Sequence, residues 1–167
     1  INRGATTIDA ARFGAFTDFD IGGSGDDYVG CDTTVNMFFG YNADGYDSDG
    51  PGDAEGYLDD PPAQAIAFLN QTMTAHSYYG SIGPNSALGS YNLLSGLQAN
   101  GDPVTTSGGD TTSFLYSGDP NDPLQWHEAS IGNAPSDRRA IGSIGPFTFA
   151  PGDTICVDLA FVFAQDT

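Results

Sequence analysis

Lysine is missing from this chain, and only Arg3, Arg12, Arg138 and Arg139 carry positive charge. Against 22 acidic residues they leave a formal net charge of -18 over 167 residues. A chain so negative repels nucleic acid and anionic lipid, so neither is expected as a partner. No apolar run reaches the roughly 18 residues that a membrane-spanning helix needs, which excludes insertion by a helix. Cysteine is scarce, with only Cys31 and Cys156, and no Cys-x-x-Cys or Cys/His spacing suggests zinc. Histidine is equally scarce. His76 and His127 are the only two, and no nucleophile elbow or His-Glu-x-x-His pattern accompanies them. His127-Glu128 beside Trp126 is the one pairing that resembles an acid/base couple, and it stands without a motif. Carboxylate pairs suited to glycoside hydrolysis can be chosen at will from 22 acids, so they discriminate nothing. The expectation is a protein without catalytic activity.

Glycine and proline are plentiful, at 23 and 10 residues, and imply many turns between short elements. With 39% hydrophobic and 12% aromatic residues, the chain can bury a core and suits one domain. Alternation places strands over Arg12 to Ile21, Thr34 to Tyr41, Ala63 to Leu69 and Met73 to Tyr79. Shorter ones are expected over Ser113 to Tyr116, Arg139 to Ile144 and Phe147 to Phe149. Thr154 to Ala164 alternates most strictly, through Ile155, Val157, Leu159, Phe161 and Phe163, and is expected at the centre of a sheet. Ser90 is placed to cap one short helix over Tyr91 to Leu97. The expected fold is an all-β sandwich, with a jelly-roll arrangement as one form of it, one short helix and long Asp/Gly-rich loops. The chain begins at Ile1 without Met and ends just after a strand. The expectation is a module processed out of a longer extracellular protein.

Of the 22 acids, only Glu55 and Glu128 are glutamates. A solvated or halophilic surface draws on Glu as freely as Asp. The Asp bias suits tight loops whose short carboxylates turn the chain and ligate a hard cation. Asp18-x-Asp20 leads through a glycine-rich loop to Asp26-Asp27 and on to Asp32. Several carboxylates held together are unfavourable unless a cation neutralises them. A second run, Asn42-x-Asp44-Gly45-x-Asp47-x-Asp49-Gly50-x-Gly52-Asp53, sets oxygen ligands on alternate residues with glycines for sharp turns. It is not an EF-hand, because no Glu stands at the twelfth position. These ten residues form the candidate calcium set, against a plain acidic surface loop as the alternative. Asp137-Arg138-Arg139 puts two of the four cations side by side; on a strand they face opposite ways, and a structural salt bridge is expected there. Cys31 and Cys156 point to an oxidising compartment and one disulfide, with two buried free thiols as the alternative. Tyr41, Tyr46, Tyr57, Tyr78, Tyr79, Tyr91 and Trp126 form either a sugar-stacking platform or half-buried sandwich edges.

The segment DFDIGGSGDDYVGCDTTVNMFFGYNADGYD, Asp18 to Asp47, resembles one that recurs in large secreted proteins of Bacteroidetes-type bacteria. PPAQAIAFLNQ (Pro61 to Gln71), YNLLSGLQANGDPVT (Tyr91 to Thr105), FLYSGDPNDPLQW (Phe114 to Trp126) and SDRRAIGSIGPFTFAPGDT (Ser136 to Thr154) resemble the blocks that follow, in the same order. This chain departs in a short block between Gln71 and Tyr91 and in Ala140, where a bulkier residue is usual. The resemblance implies cargo of the type IX secretion system and supplies no catalytic residues to carry over. The resulting expectation is a calcium-stabilised structural or adhesive module, extracellular or at the cell surface. Its partners would be other copies of itself or other surface proteins, and its alternative role that of a carbohydrate-binding module of a secreted enzyme.

Overall fold

The computed structural model describes residues 1–50, 55–79 and 83–165. Among the described residues, eleven strands, all antiparallel where they pair, surround a single buried cluster. One sheet runs β1 (Ile8–Asp18), β10 (Arg139–Phe149), β7 (Ala75–Tyr79). The facing sheet runs β11 (Leu159–Ala164), β6 (Ala63–Phe68), β3 (Met37–Asn42), β2 (Asp27–Asp32). Two minor hairpins join β4 (Tyr46–Asp47) to β5 (Leu58–Asp59), and β8 (Val104–Thr105) to β9 (Thr111–Thr112). The fold is therefore all-β and sandwich-like, with one short helix, α1 (Ala87–Leu94).

Phe38 on β3 lies at the centre, fully buried, with its ring edge-on to Phe19 at 6.1 Å and tilted against Phe68 at 6.5 Å. From the other sheet Gly142 on β10 supports it. A Cβ on Gly142 would overlap the Phe38 ring, so the absent side chain is what lets the sheets close. His76 is buried beside the same ring, at 5.9 Å. Its Nδ1 donates to the carbonyl of Leu115 at 2.8 Å, which leaves Nε2 unprotonated, and burial pushes its pKa down to about 4.

Several boundaries differ from the sequence reading, each for a physical reason. β1 spans Ile8–Asp18 and not Arg12 to Ile21, because the backbone turns left-handed at Asp20, with φ 35°. β2 occupies Asp27–Asp32, where no strand was expected; five of its six residues are buried, so no alternation marks it. A turn over residues 33–36, with Asn36 at φ 53°, delays β3 to Met37. β10 is one strand: Gly145 and Pro146 are absorbed as a bulge opposite β1, beyond the end of β7, where the missing N–H breaks no ladder bond. The helix starts earlier than expected because Ser86, not Ser90, is the cap, its Oγ accepting from Gly89 N at 3.0 Å. Ser113 to Tyr116 is no strand; only a bridge at Phe114 remains of it.

The C-terminal strand is the largest correction. β11 covers only Leu159–Ala164 and forms an edge, paired on one side with β6 and open on the other. Ile155, Val157 and Leu159 pack on the core, but Phe161 is 80% and Phe163 57% exposed. The expected disulfide is not formed: Cys31 lies in β2, at the opposite edge of the sheet from β11, while Cys156 lies in the segment that leads into β11. Both thiols are free, Cys31 buried and Cys156 exposed.

Candidate cation site

Strand β1 ends at Asp18 directly opposite Arg139, the first residue of β10. Arg139 therefore reaches two carboxylates, with Nε 3.0 Å from Asp18 Oδ2 and Nη1 2.8 Å from Asp137 Oδ1. The left-handed turn at Asp20 brings a third. Oxygens of Asp18, Asp20 and Asp137 all lie within 4.8 Å of one another. That separation suits oxygens sharing one calcium ion at 2.3–2.6 Å. Three carboxylates and one guanidinium leave a local charge of about -2, which matches one divalent cation. Asp18 itself is raised above its ordinary pKa, first by desolvation and then by Asp20, with Arg139 opposing.

Behind this cluster lies Asp27, only 1% exposed. Its Oδ2 accepts the Ile21 N–H at 3.1 Å, while its Oδ1 has no partner. Burial drives its pKa up to about 7; the Ile21 N–H opposes, and the charges of Asp26, Asp47 and Asp20 add to the rise. Asp26, half-buried, also has an unpaired oxygen. Among the described residues no ion pair includes Asp20, Asp26, Asp27 or Asp47.

The other sequence candidates do different work. Asp47 is fully buried and is a clamp, its two oxygens accepting from Gly23 N at 2.8 Å and Tyr57 N at 2.7 Å. A Cβ on Gly22, at φ 52°, would overlap that carboxylate, so glycine is required there. Asn42 Oδ1 accepts from Asp44 N, and Asp44 Oδ1 from Tyr46 N, as in short self-bonded turns. Asp49 Oδ1 accepts from Gly56 N at 3.1 Å. Asp32 bonds the Thr34 amide and hydroxyl at the far end of β2 and does not join Asp27. Asp53 lies outside the described residues. The Asn42 to Asp53 run is thus a backbone-pinning loop over its described part, not a string of converging ligands. Asp137, read from sequence only as a salt-bridge residue, is the member of the cluster that the sequence reading did not place there.

Arg138, facing the opposite way from Arg139, makes the third ion pair among the described residues. Its Nη2 lies 2.8 Å from Glu128 Oε2, both side chains buried. Glu128 also accepts from Val29 N at 2.9 Å and Asn133 Nδ2 at 3.0 Å. These partners occupy Glu128, so the His127-Glu128 couple has no free carboxylate for proton transfer. Comparison with family models, with curated proteins and with solved structures finds no match to this chain.

Proposed function

We propose that this is a non-catalytic extracellular module whose acidic end is stabilised by calcium and whose open strand edge contacts neighbouring copies or other surface proteins. The observation that carries the cation reading is the acidic end itself. Three carboxylates meet within 4.8 Å, and Asp27 is buried behind them with one oxygen unpaired. Arg139 answers part of that charge, and with no lysine in the chain a bound divalent cation would answer the rest. Calcium, with flexible six-to-eight oxygen coordination, suits carboxylates and backbone carbonyls on a turning loop better than magnesium, which demands a strict octahedron.

Support for the contact role comes from β11. An edge strand with exposed Phe161 and Phe163 offers free backbone donors and acceptors beside apolar rings. Edges left in this state template pairing with another chain. The charge of -18 keeps bare copies apart, so association is expected to need divalent cations or salt. The extracellular placement rests on the resemblance of the ordered sequence blocks to segments of large secreted proteins alone. Light scattering in calcium and then in EGTA tests the reading, alongside Phe161→Lys. Association in calcium that EGTA and Phe161→Lys each abolish is expected; a monomer under all conditions contradicts the contact role.

A further inference from the structure

The most acidic of compositions leaves one large concavity with no charge in it. A cleft of about 590 Å³, within the range of small-ligand sites, opens beside β7 and the chain that follows α1. None of the described residues that line it is Asp, Glu, Arg or His, although the chain carries 22 acids. One wall is aromatic. Tyr78 stacks at a tilt on Tyr116 with centroids 5.7 Å apart, and Tyr116 meets Trp126 edge-on at 5.4 Å; Tyr79 lines the cleft from the other face of β7, with its ring stacked on Phe16 at 5.6 Å. The opposite rim is polar, formed by Gln98, whose Nε2 donates to the Pro103 carbonyl at 3.2 Å and whose Oε1 has no partner among the described residues, and by Thr105, Thr106 and Ser107. Those three hydroxyls make no hydrogen bond with other described residues.

The wall is held from behind. Arg138 lies over the Tyr78 ring at 5.0 Å, and the Tyr116 hydroxyl accepts from Asn133 Nδ2 at 2.7 Å. Glu128 binds both Arg138 and Asn133, so a buried ion pair fixes the rings that face the cleft. A surface built this way is preorganised rather than collapsible.

We infer that this cleft is a binding site for a neutral saccharide. A lining without ionised groups gives no recognition to a charged ligand. Tyr116 is buried, and half-buried Trp126, Tyr78 and Tyr79 offer the apolar ring surface, while the rim offers hydroxyls and an amide oxygen. A pyranose ring matches both at once, laying its C–H face on an aromatic ring while its equatorial hydroxyls bond the rim. A purely apolar ligand would leave the rim groups without partners.

Trp126 is the chain's single tryptophan, so its fluorescence reports on the cleft directly. The full chain is titrated with cellohexaose, xylohexaose, mannohexaose, maltohexaose and chitohexaose. Hexagalacturonate serves as the anionic comparison and indole as the apolar one. Saturable binding of at least one neutral sugar is expected, with a shift in Trp126 emission. Tyr79→Ala and Gln98→Ala should each weaken it about fivefold or more, roughly the loss of one good contact. Tyr46→Ala, on an exposed ring outside the cleft, should leave it unchanged. Calorimetry reads affinity where fluorescence is weak, and melting curves of each variant identify any that has simply unfolded. The inference is overturned if no neutral sugar binds at about 5 mM, which is weaker than a free energy of about -3 kcal/mol. Equal binding of hexagalacturonate, preferential binding of indole, or indifference of folded Tyr79→Ala and Gln98→Ala variants overturns it as well.

Discussion

Replacing Arg138 with Met leaves Glu128 as a buried carboxylate without its cation. Glu128 is completely enclosed. It would keep the Val29 and Asn133 donors but lose the Nε contacts at 3.3 and 3.1 Å and the Nη2 contact at 2.8 Å. Removing one partner of a buried pair costs about 3–5 kcal/mol, because the remaining charge stays desolvated. Two further losses add to this, the Arg138 bonds to Ser136 Oγ and to the Ala134 carbonyl. The methionine chain offsets part of the lost packing against Tyr78. Urea unfolding with linear extrapolation measures the difference, provided the slope is unchanged. Glu128→Gln/Arg138→Met should recover about half of the loss, since the buried charge is then gone. A loss under about 1 kcal/mol for Arg138→Met, or a double variant as unstable as the sum of the singles, would refute the reasoning.

Two buried groups give opposite pH dependences. His76, lowered to about 4, makes stability rise with pH from about 4 to its ordinary value near 6.5, since only the unfolded chain binds that proton in this window. Asp27, raised to about 7, makes stability fall with pH from about 4 to 7, since there the folded state holds the extra proton. In EGTA, Asp27→Asn should therefore gain on the parent by about 2–4 kcal/mol between pH 5 and 7.5 in urea titrations; a constant difference would contradict this. Gly142→Ala should cost about 1–3 kcal/mol by thermal melting, because its methyl overlaps Phe38. A thiol reagent at pH 8 should label only Cys156 in the native protein and both cysteines in denaturant, since burial holds the Cys31 thiol up at about 12. Labelling of neither in denaturant would restore the disulfide.

The sheet class is legible because Gly- and Pro-punctuated alternation has few other solutions. The order of strands is not. The row from Ile155 to Phe163 says which side chains share a face but not whether another layer covers it, and at Phe161 none does. β2 is hidden for the converse reason: burial on both faces erases the alternation. The acidic loops illustrate a chemical ambiguity. Alternate Asn and Asp residues with glycines serve self-bonded turns as well as metal ligation, and Asp44, Asp47 and Asp49 are spent on backbone amides. Asp18 and Asp20 do converge, but the third carboxylate, Asp137, arrives from a distant strand by register. Likewise Glu128 and Arg138 carry no local pattern; only the fold makes them partners.

Calcium binding at the acidic end is tested most directly by melting the protein in calcium and in EGTA, with Asp20→Asn beside it. Asp20 is exposed, forms no ion pair among the described residues and stands in the carboxylate cluster, so its loss should impair binding without disturbing the fold. At a hundredfold excess over Kd, calcium should add about 2.7 kcal/mol, a rise of about 5–10 °C for a chain of this size. Asp20→Asn should melt like the parent in EGTA and lose most of that rise in calcium. Equal melting temperatures of the parent in calcium and in EGTA would contradict the claim.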